Sequence, residues 1–460
     1  MDVKGLTKAL AEFIVSAKYE DFSEGDVNYI KDLGLGFMAA QLWGSTLSGS
    51  KVPIRFVQSQ GGPPEAGVMG AGFKVPVPNA AFANGFTLHE AEIEGNIWPE
   101  AANPMTIWPV VFALGEKLKI SGRDAIEAFI IAQEVQSRLG RGLHRGVLPR
   151  GFFQLSLYGT FGAGAAAAKL LKLNVDQTRE VLSIAASSTS GLMRQVGTMV
   201  HYLESSMSCR DGVIAALLVQ DGHTADKEML DDVEGSWPGF CTCYSTPVEV
   251  DVDSILKGLG KPPFRVQETG SKYYPCCDFQ QRLIYGAVEL VKKHKINYQD
   301  VESVTVESNT TLGKHLHYSD PKNYEETRFS IQHGIAAALI DVEVGPHGFS
   351  DESAVDPRFI ETRRKVKVVI HPEWDSAAQS GFDICTIKLK NGKQYRQECR
   401  MGGGSHQSLS HERALAKFRN YTVNILTPKQ AGKAEELMVK LDKLTDITEL
   451  ADLMTFAGNS

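Results

Sequence analysis

The chain has 460 residues, 43% of them hydrophobic and 22% charged, and a formal net charge of −7. That length supports two or three domains with real cores, and the composition is ordinary for a globular protein. The mild negative charge, without a long run of one sign, argues against nucleic acid as a partner.

The seven cysteines are odd in number and belong to a long chain, which argues against a disulfide framework. Cys241-Thr-Cys243 and Cys276-Cys277 lack the usual metal spacing. The opening Met1-Asp2-Val3-Lys4 does not read as a signal peptide, and no apolar run is long enough to span a bilayer. A cytoplasmic protein with no membrane partner is expected.

From Leu6 to about Val266 the apolar periodicity is helical. Ile126–Leu139 places Ile126, Phe129, Ile130 and Val135 at helical spacing, with Glu127, Glu134 and Arg138 elsewhere. Gly159–Leu173 is a helix of small residues around Gly162-Ala163-Gly164-Ala165, a surface that lets another helix approach closely. Ser183–Gly191 is similarly small and Gly212–Gln220 is apolar. Near-apolar helices imply burial on all sides and an expected dimer interface.

The texture changes after Gly258-Leu-Gly-Lys-Pro-Pro263. Val301–Glu307, Lys365–Ile370 and Asp383–Leu389 alternate as strands do, and Asn391-Gly392 is a hairpin turn signal. Helices are expected at Asp278–His294 and Arg328–Leu339. Gly402-Gly403-Gly404-Ser405 reads as a flexible link back to helix, at His411–Tyr421 and Pro428–Leu444. The expectation is a mainly α protein, with a helical domain over residues 1–265 and 406–460 and a smaller α+β domain over 266–405.

Several stretches concentrate groups suited to chemistry. In Asn84–Glu94, one histidine and three acids crowd between His89 and Glu94, a clustering that suits proton transfer. Asn103-Pro104 follows, with Trp98 and Trp108 nearby as apolar surface. Gly151-Phe-Phe-Gln-Leu precedes the small-residue helix. Gly197-Thr-Met-Val-His-Tyr-Leu-Glu204 places His201 and Glu204 three apart, on one face of a helix. Ser271-Lys-Tyr-Tyr-Pro-Cys-Cys277 offers a lysine, a compact cation suited to a carboxylate.

In their order along nearly the whole chain, these stretches resemble the MmgE/PrpD family, which includes 2-methylcitrate dehydratases, cis-aconitate decarboxylases and iminodisuccinate epimerases. The resemblance implies a large all-helical domain built from both chain ends, an inserted α/β lid, dimerisation through the helical part, and chemistry by proton abstraction beside a carboxylate or carbonyl. It also exposes departures. The family motif Asn-Gly-x-x-x-His-x-x-Asp-x-Asp has glutamates here, Glu92 and Glu94. Asn103 and Phe153 stand where the family has histidines. His201 replaces a substrate-binding lysine, and Glu204 replaces a histidine. Lys272 matches the lysine that reaches a substrate carboxylate, and Cys277 stands where decarboxylase-like members carry histidine.

The resulting expectation is a lyase or isomerase that needs neither metal nor cofactor. Glu92 or His201 is the base, Glu204 orients His201, Lys272 anchors the carboxylate, and His89 supports Glu92. Asn103, Phe153, Tyr273 and Cys277 contact the substrate. Lost histidines and a gained carboxylate imply a substrate less anionic and more apolar than methylcitrate, facing Phe153, Trp98 and Tyr158. The alternative is an inactive small-molecule-binding or scaffold homologue. Gly61-Gly62-Pro63-Pro64 lacks the Lys-Ser/Thr of a phosphate loop, Gly159-Thr-Phe-Gly162 lacks the context of a dinucleotide fingerprint, and His315-Leu-His317 lacks a third metal ligand.

Overall fold

Helices begin where the sequence supplies caps. Ser23, Ser121, Asn174 and Thr427 each accept a hydrogen bond from the amide three residues on, and Asp26, Asp124, Gln177 and Gln430 return the bond. Each reciprocal cap satisfies two of the amides that a helix start leaves without partners. The computed structural model describes residues 3–98, 101, 103–246, 249–374, 381–400 and 409–457. The expected link Gly402–Ser405 lies outside the described residues.

The chain divides into two units. The first comprises residues 1–194, 202–269 and 408–460, and the second residues 195–201 and 270–407. In the first unit the helix Glu24–Thr46 packs on Val77–Glu90 and on the late helix His411–Thr422, so both ends of the chain build one core. Gly44 makes the first of these contacts possible, because a Cβ there would stand 1.8 Å from the carbonyl oxygen of Thr87. Gly122–Val147 packs along Gln154–Leu170, the small-residue helix. Gly212, on the helix Met199–Gln220, lies against Ala163 and Gly164, where a Cβ would come within 2.4 Å of the Ala163 Cβ. Small residues thus exchange side-chain volume for close backbone approach, as their clustering in sequence predicts. Trp108, read from the sequence as apolar surface near Asn103, is part of the core. Its ring packs at 4.4 Å from Phe112 and 5.2 Å from Phe37, and it is fully buried. A short hairpin, β1 (Ala66–Val68) with β2 (Phe73–Val75), has no counterpart in the periodicity reading.

The second unit holds a four-stranded sheet of β3 (Val301–Asn309), β4 (Val366–His371), β5 (Phe382–Leu389) and β6 (Gln394–Arg400), in the order β4-β3-β5-β6. β3 and β4 are parallel, while β3–β5 and β5–β6 are antiparallel. The β5–β6 hairpin turns through Asn391-Gly392, with Gly392 at φ +83°, which glycine adopts without penalty. The helices Gln281–His294 and Ile331–Ile340 pack against each other, the former also against β5 and β6. Asp383 is buried, accepting from Ser308 Oγ at 2.7 Å and from Arg282 Nε at 2.5 Å.

Residues 195–201 belong to the second unit, although the sequence reading places them in the helical part. Tyr318 accounts for this. Its hydroxyl donates to the Val196 carbonyl at 3.3 Å, and its ring occupies the space beside Gly197 that a side chain would need. All seven cysteines are free. Among the described residues no helix is long and apolar enough to cross a membrane.

Candidate functional site

The expected site residues divide between the units: His89, Glu92, Asn103, Phe153 and Glu204 in the first, and His201, Lys272, Tyr273 and Cys277 in the second.

In the first unit the helix Val77–Glu90 runs out just past His89, and the chain turns at Glu92 with φ +55°. Helices commonly end on a left-handed residue, normally glycine, because an L side chain in that conformation costs roughly 1–2 kcal/mol. Here a buried glutamate takes the position. Such strain in a buried polar residue is a pointer to function, because the surroundings must hold it in place. The Glu92 Oε1 lies 3.9 Å from His89 Nε2, and His89 Nδ1 lies 2.7 Å from Ser205 Oγ. The imidazole is also framed by Tyr202, edge-on at 5.1 Å, and by Phe153, nearly parallel at 6.3 Å. The expected support of Glu92 by His89 therefore has a geometry, and Phe153 meets the imidazole face.

Glu204 sits on the helix Met199–Gln220. Its Oε1 accepts from the Leu192 amide at 2.8 Å, while its Oε2, also buried, has no hydrogen-bond partner among the described residues. Burial pushes the carboxyl up to about 7, outweighing the opposite pull of the Leu192 amide. Gly191, at φ +122°, lets the chain pass, because a Cβ there would stand 2.1 Å from Ser156 Oγ and 3.4 Å from the Glu204 carboxyl carbon. The sequence expectation gives Glu204 the task of orienting His201, and the Leu192 bond is an additional role for Oε1. A carboxyl that titrates near neutrality is suited to carry a proton itself.

Asn103 spends its side-chain oxygen as a helix cap, accepting from the Met105 amide at 3.0 Å, and its carbonyl accepts from Gln136 Nε2 at 3.2 Å. Arg150, upstream of Phe153, is exposed and donates to the Tyr244 carbonyl at 3.0 Å.

In the second unit the loop carrying Lys272 is clamped by Gln281. Its Oε1 accepts from the amides of Tyr273 and Tyr274 at 3.1 and 3.0 Å, and its Nε2 donates to the carbonyls of Tyr274 and Cys276. The Cys277 amide donates to Arg328 O at 3.1 Å. Lys272 and Cys277 are buried in consequence. His201 packs edge-on against Phe329 at 5.2 Å, and His315 edge-on against Phe279 at 4.3 Å. Burial, with the Lys272 charge added, brings His201 down to about 3 and holds His315 well below the usual imidazole range. Both rings are therefore neutral at physiological pH. An imidazole this hard to protonate is a weak base, which disfavours His201 in the role of base and suits it to hydrogen bonding beside Lys272. His317, by contrast, is exposed and turned to the Lys314 carbonyl, so it forms no pair with His315.

Sequence reasoning misses Ser205, the Leu192 amide, Gln281 and the packing of His315. Ser205 lies 116 residues from His89, and no local spacing connects them. Gln281 had a local signal, an amide side chain shortly after a loop with several amides to satisfy.

Comparison with known proteins agrees with the order of these motifs. The family model described as the MmgE/PrpD N-terminal domain matches residues 8–252, and that of the MmgE/PrpD C-terminal domain matches residues 274–443. Among curated proteins, the chain is 26% identical to a cis-aconitate decarboxylase of Aspergillus terreus, over 98% of this chain and 96% of that protein. It is 25% identical to the cis-aconitate decarboxylases of Mus musculus and of Homo sapiens, over 99% of this chain and 94% and 95% of theirs.

Proposed function

The chain belongs to the MmgE/PrpD family, and on that premise we propose that it is a lyase or isomerase, independent of metal and cofactor, that moves a proton beside a carboxylate of a small substrate. Relatives named as decarboxylases, which are lyases, support the reaction class. The observation that carries the reading is the buried carboxylate of Glu92, held in left-handed backbone 3.9 Å from the His89 imidazole. A carboxylate and an imidazole suffice for such a transfer. Glu92 is the base in this reading. Glu204, titrating at about 7, is a second proton carrier rather than an orienting group. Lys272, with neutral imidazoles for neighbours, anchors the substrate carboxylate and the negative charge that develops.

The substrate in this reading is less anionic and more apolar than methylcitrate. Phe153 and Asn103 carry no charge where the resemblance expects histidines, and Glu204 adds a carboxyl. Hydration or dehydration, ring opening and isomerisation all use the same proton step. The protein acts as a homodimer in the cytoplasm. Val52 and Phe56, one turn apart on the helix Lys51–Gln60 and each 53% exposed, support association of the helical unit. A second reading, a binding homologue without turnover, draws on Phe153, since a phenyl ring cannot carry a proton.

The test is a proton–deuterium exchange screen by NMR over mono-, di- and tricarboxylates. Exchange or product with a monocarboxylate, lost by roughly 10²–10⁴-fold in Glu92→Gln and in Lys272→Ala with folding intact, is the expected result. Turnover of methylcitrate or cis-aconitate would overturn the substrate reading. Wild-type rates in both variants would overturn the residue roles, and silence across the panel favours the binding homologue.

A further inference from the structure

Ser205 has a single hydrogen and two neighbours for it: the Tyr202 carbonyl, which can only accept, and His89 Nδ1, which accepts or donates with its tautomer. The hydroxyl donates to the Tyr202 carbonyl at 2.9 Å, one turn back on its own helix. With its hydrogen on the carbonyl, the same oxygen has only lone pairs to offer His89 Nδ1 at 2.7 Å, an arrangement that calls for a proton on Nδ1. The other ring nitrogen, Nε2, is then the one whose proton varies, and it faces Glu92 Oε1 at 3.9 Å, within ion-pair range. A half-turn of the ring would keep its plane against Tyr202 and Phe153 but would carry Nδ1 away from Ser205 Oγ, so the 2.7 Å contact itself selects the orientation.

We infer that Ser205 is a positioning residue. By accepting the Nδ1 proton it fixes the His89 tautomer, so that the His89–Glu92 pair exchanges its one mobile proton on the Glu92 side. This rests on the proposed role of Glu92 in proton transfer. When Glu92 takes a proton from the carbon beside the substrate carboxylate, the C–H bonding electrons stay on the substrate. The proton passes to a Glu92 oxygen and, once the pair closes from 3.9 Å to hydrogen-bond distance in the reactive complex, is shared with the Nε2 lone pair, giving imidazolium and carboxylate or imidazole and carboxylic acid. Return of the same proton reverses the path. Without the Ser205 acceptor, the neutral ring places its proton on Nε2, where the carboxylate attracts it. Nε2 then has no lone pair to receive what Glu92 removes.

The experiment is a long-range proton–nitrogen NMR correlation on the full chain labelled at histidine nitrogens, with the His89 signal assigned by its loss in His89→Gln. In the wild type Nδ1 stays protonated across the pH range in which the protein is folded, and Nε2 alone changes. Ser205→Ala moves the neutral ring to the Nε2–H form and lowers kcat by roughly 10²-fold with KM little changed, and Ser205→Thr, which keeps a hydroxyl, restores both. A wild-type ring that is protonated on Nε2 and bare on Nδ1 overturns the inference, as does an unchanged tautomer in Ser205→Ala. Should that variant fail to fold, the wild-type spectrum decides alone. The spectrum needs no substrate, so an absence of turnover in the carboxylate screen counts against the proposed reaction and leaves the tautomer to be judged separately.

Discussion

Each unit buries acids and imidazoles, His89 in the helical one and Asp383 in the sheet-bearing one, but their most displaced candidate-site groups differ in kind. The helical unit hides carboxyls, with Glu92 in strained backbone and Glu204 raised to about 7. The sheet-bearing unit hides imidazoles. His201 and His333 are brought down to about 3 and His315 is held well below its ordinary value. Burial is the leading cause of the shifts at Glu204, His201, His315 and His333, and it disfavours the charged form of either kind. The Glu204 carboxyl is thereby adjusted toward neutrality, where it can exchange protons. A buried imidazole is driven away from neutrality and becomes a fixed neutral donor or acceptor. His333 shows the second outcome in a purely structural setting. It is fully buried, its Nε2 lies 2.8 Å from the Gly348 carbonyl, and its Nδ1 lies 3.2 Å from Arg363 Nη1.

The contrast predicts opposite responses to pH, and acid gives the largest effect. A histidine with a depressed folded pKa contributes stability that is full above its unfolded value of 6.5 and is lost as pH falls toward the folded value. Between pH 6.5 and 5 the loss is about 2 kcal/mol for each of His201 and His333, in order of magnitude. Hydrogen exchange at pH 5 and at pH 7.5 should show peptides from 281–294, 301–309 and 331–340 losing protection in acid well before those from 122–147 and 154–170. Equal loss in both sets would break the contrast.

Next in size is His333→Leu. It leaves the Gly348 carbonyl and the buried Arg363 short of a partner and should cost about 2–3 kcal/mol at pH 7.5, read by urea unfolding. The same variant removes one titrating imidazole, so its stability should fall less steeply between pH 6.5 and 5. An undiminished slope would mean that His333 is not the group being protonated.

Smallest is Glu204→Gln. A carboxyl with a raised folded pKa contributes stability that is full below its unfolded value of 4.5 and is lost as pH rises through about 7. The glutamine variant keeps a neutral side chain, so at pH 8 it should be more stable than the wild type by about 1 kcal/mol, after discounting for solvent screening. It should also erase any limb near pH 7 in the rate profile. A variant less stable at pH 8, with the limb intact, would assign Glu204 to structure alone.

Much of the architecture is legible in the sequence because it depends on local spacing. The strand expected at Val301–Glu307 forms as Val301–Asn309, and the helix expected at His411–Tyr421 forms as His411–Thr422. The helix expected at Pro428–Leu444 stops at Val439 and resumes as the short turn Leu441–Lys443, an irregularity that periodicity does not encode. The chemistry is less legible. Glu92 and His89 are three apart, and their proximity can be read from the chain. Ser205, by contrast, reaches His89 across 116 positions. The neutrality of His201 depends on burial and on Lys272, and the register of its motif says nothing of either. The link from Glu204 to Leu192 requires a chain reversal through Gly191, which helical spacing does not encode.

The left-handed backbone at Glu92 has a consequence for anyone engineering this protein. Glycine, asparagine and aspartate tolerate that conformation better than glutamate does. A selection for heat resistance alone would therefore reward replacing Glu92 and would enrich sturdier proteins stripped of the very carboxylate assigned here to the chemistry. Directed evolution of thermostability in this chain accordingly calls for an activity counter-screen, with position 92 held out of the library.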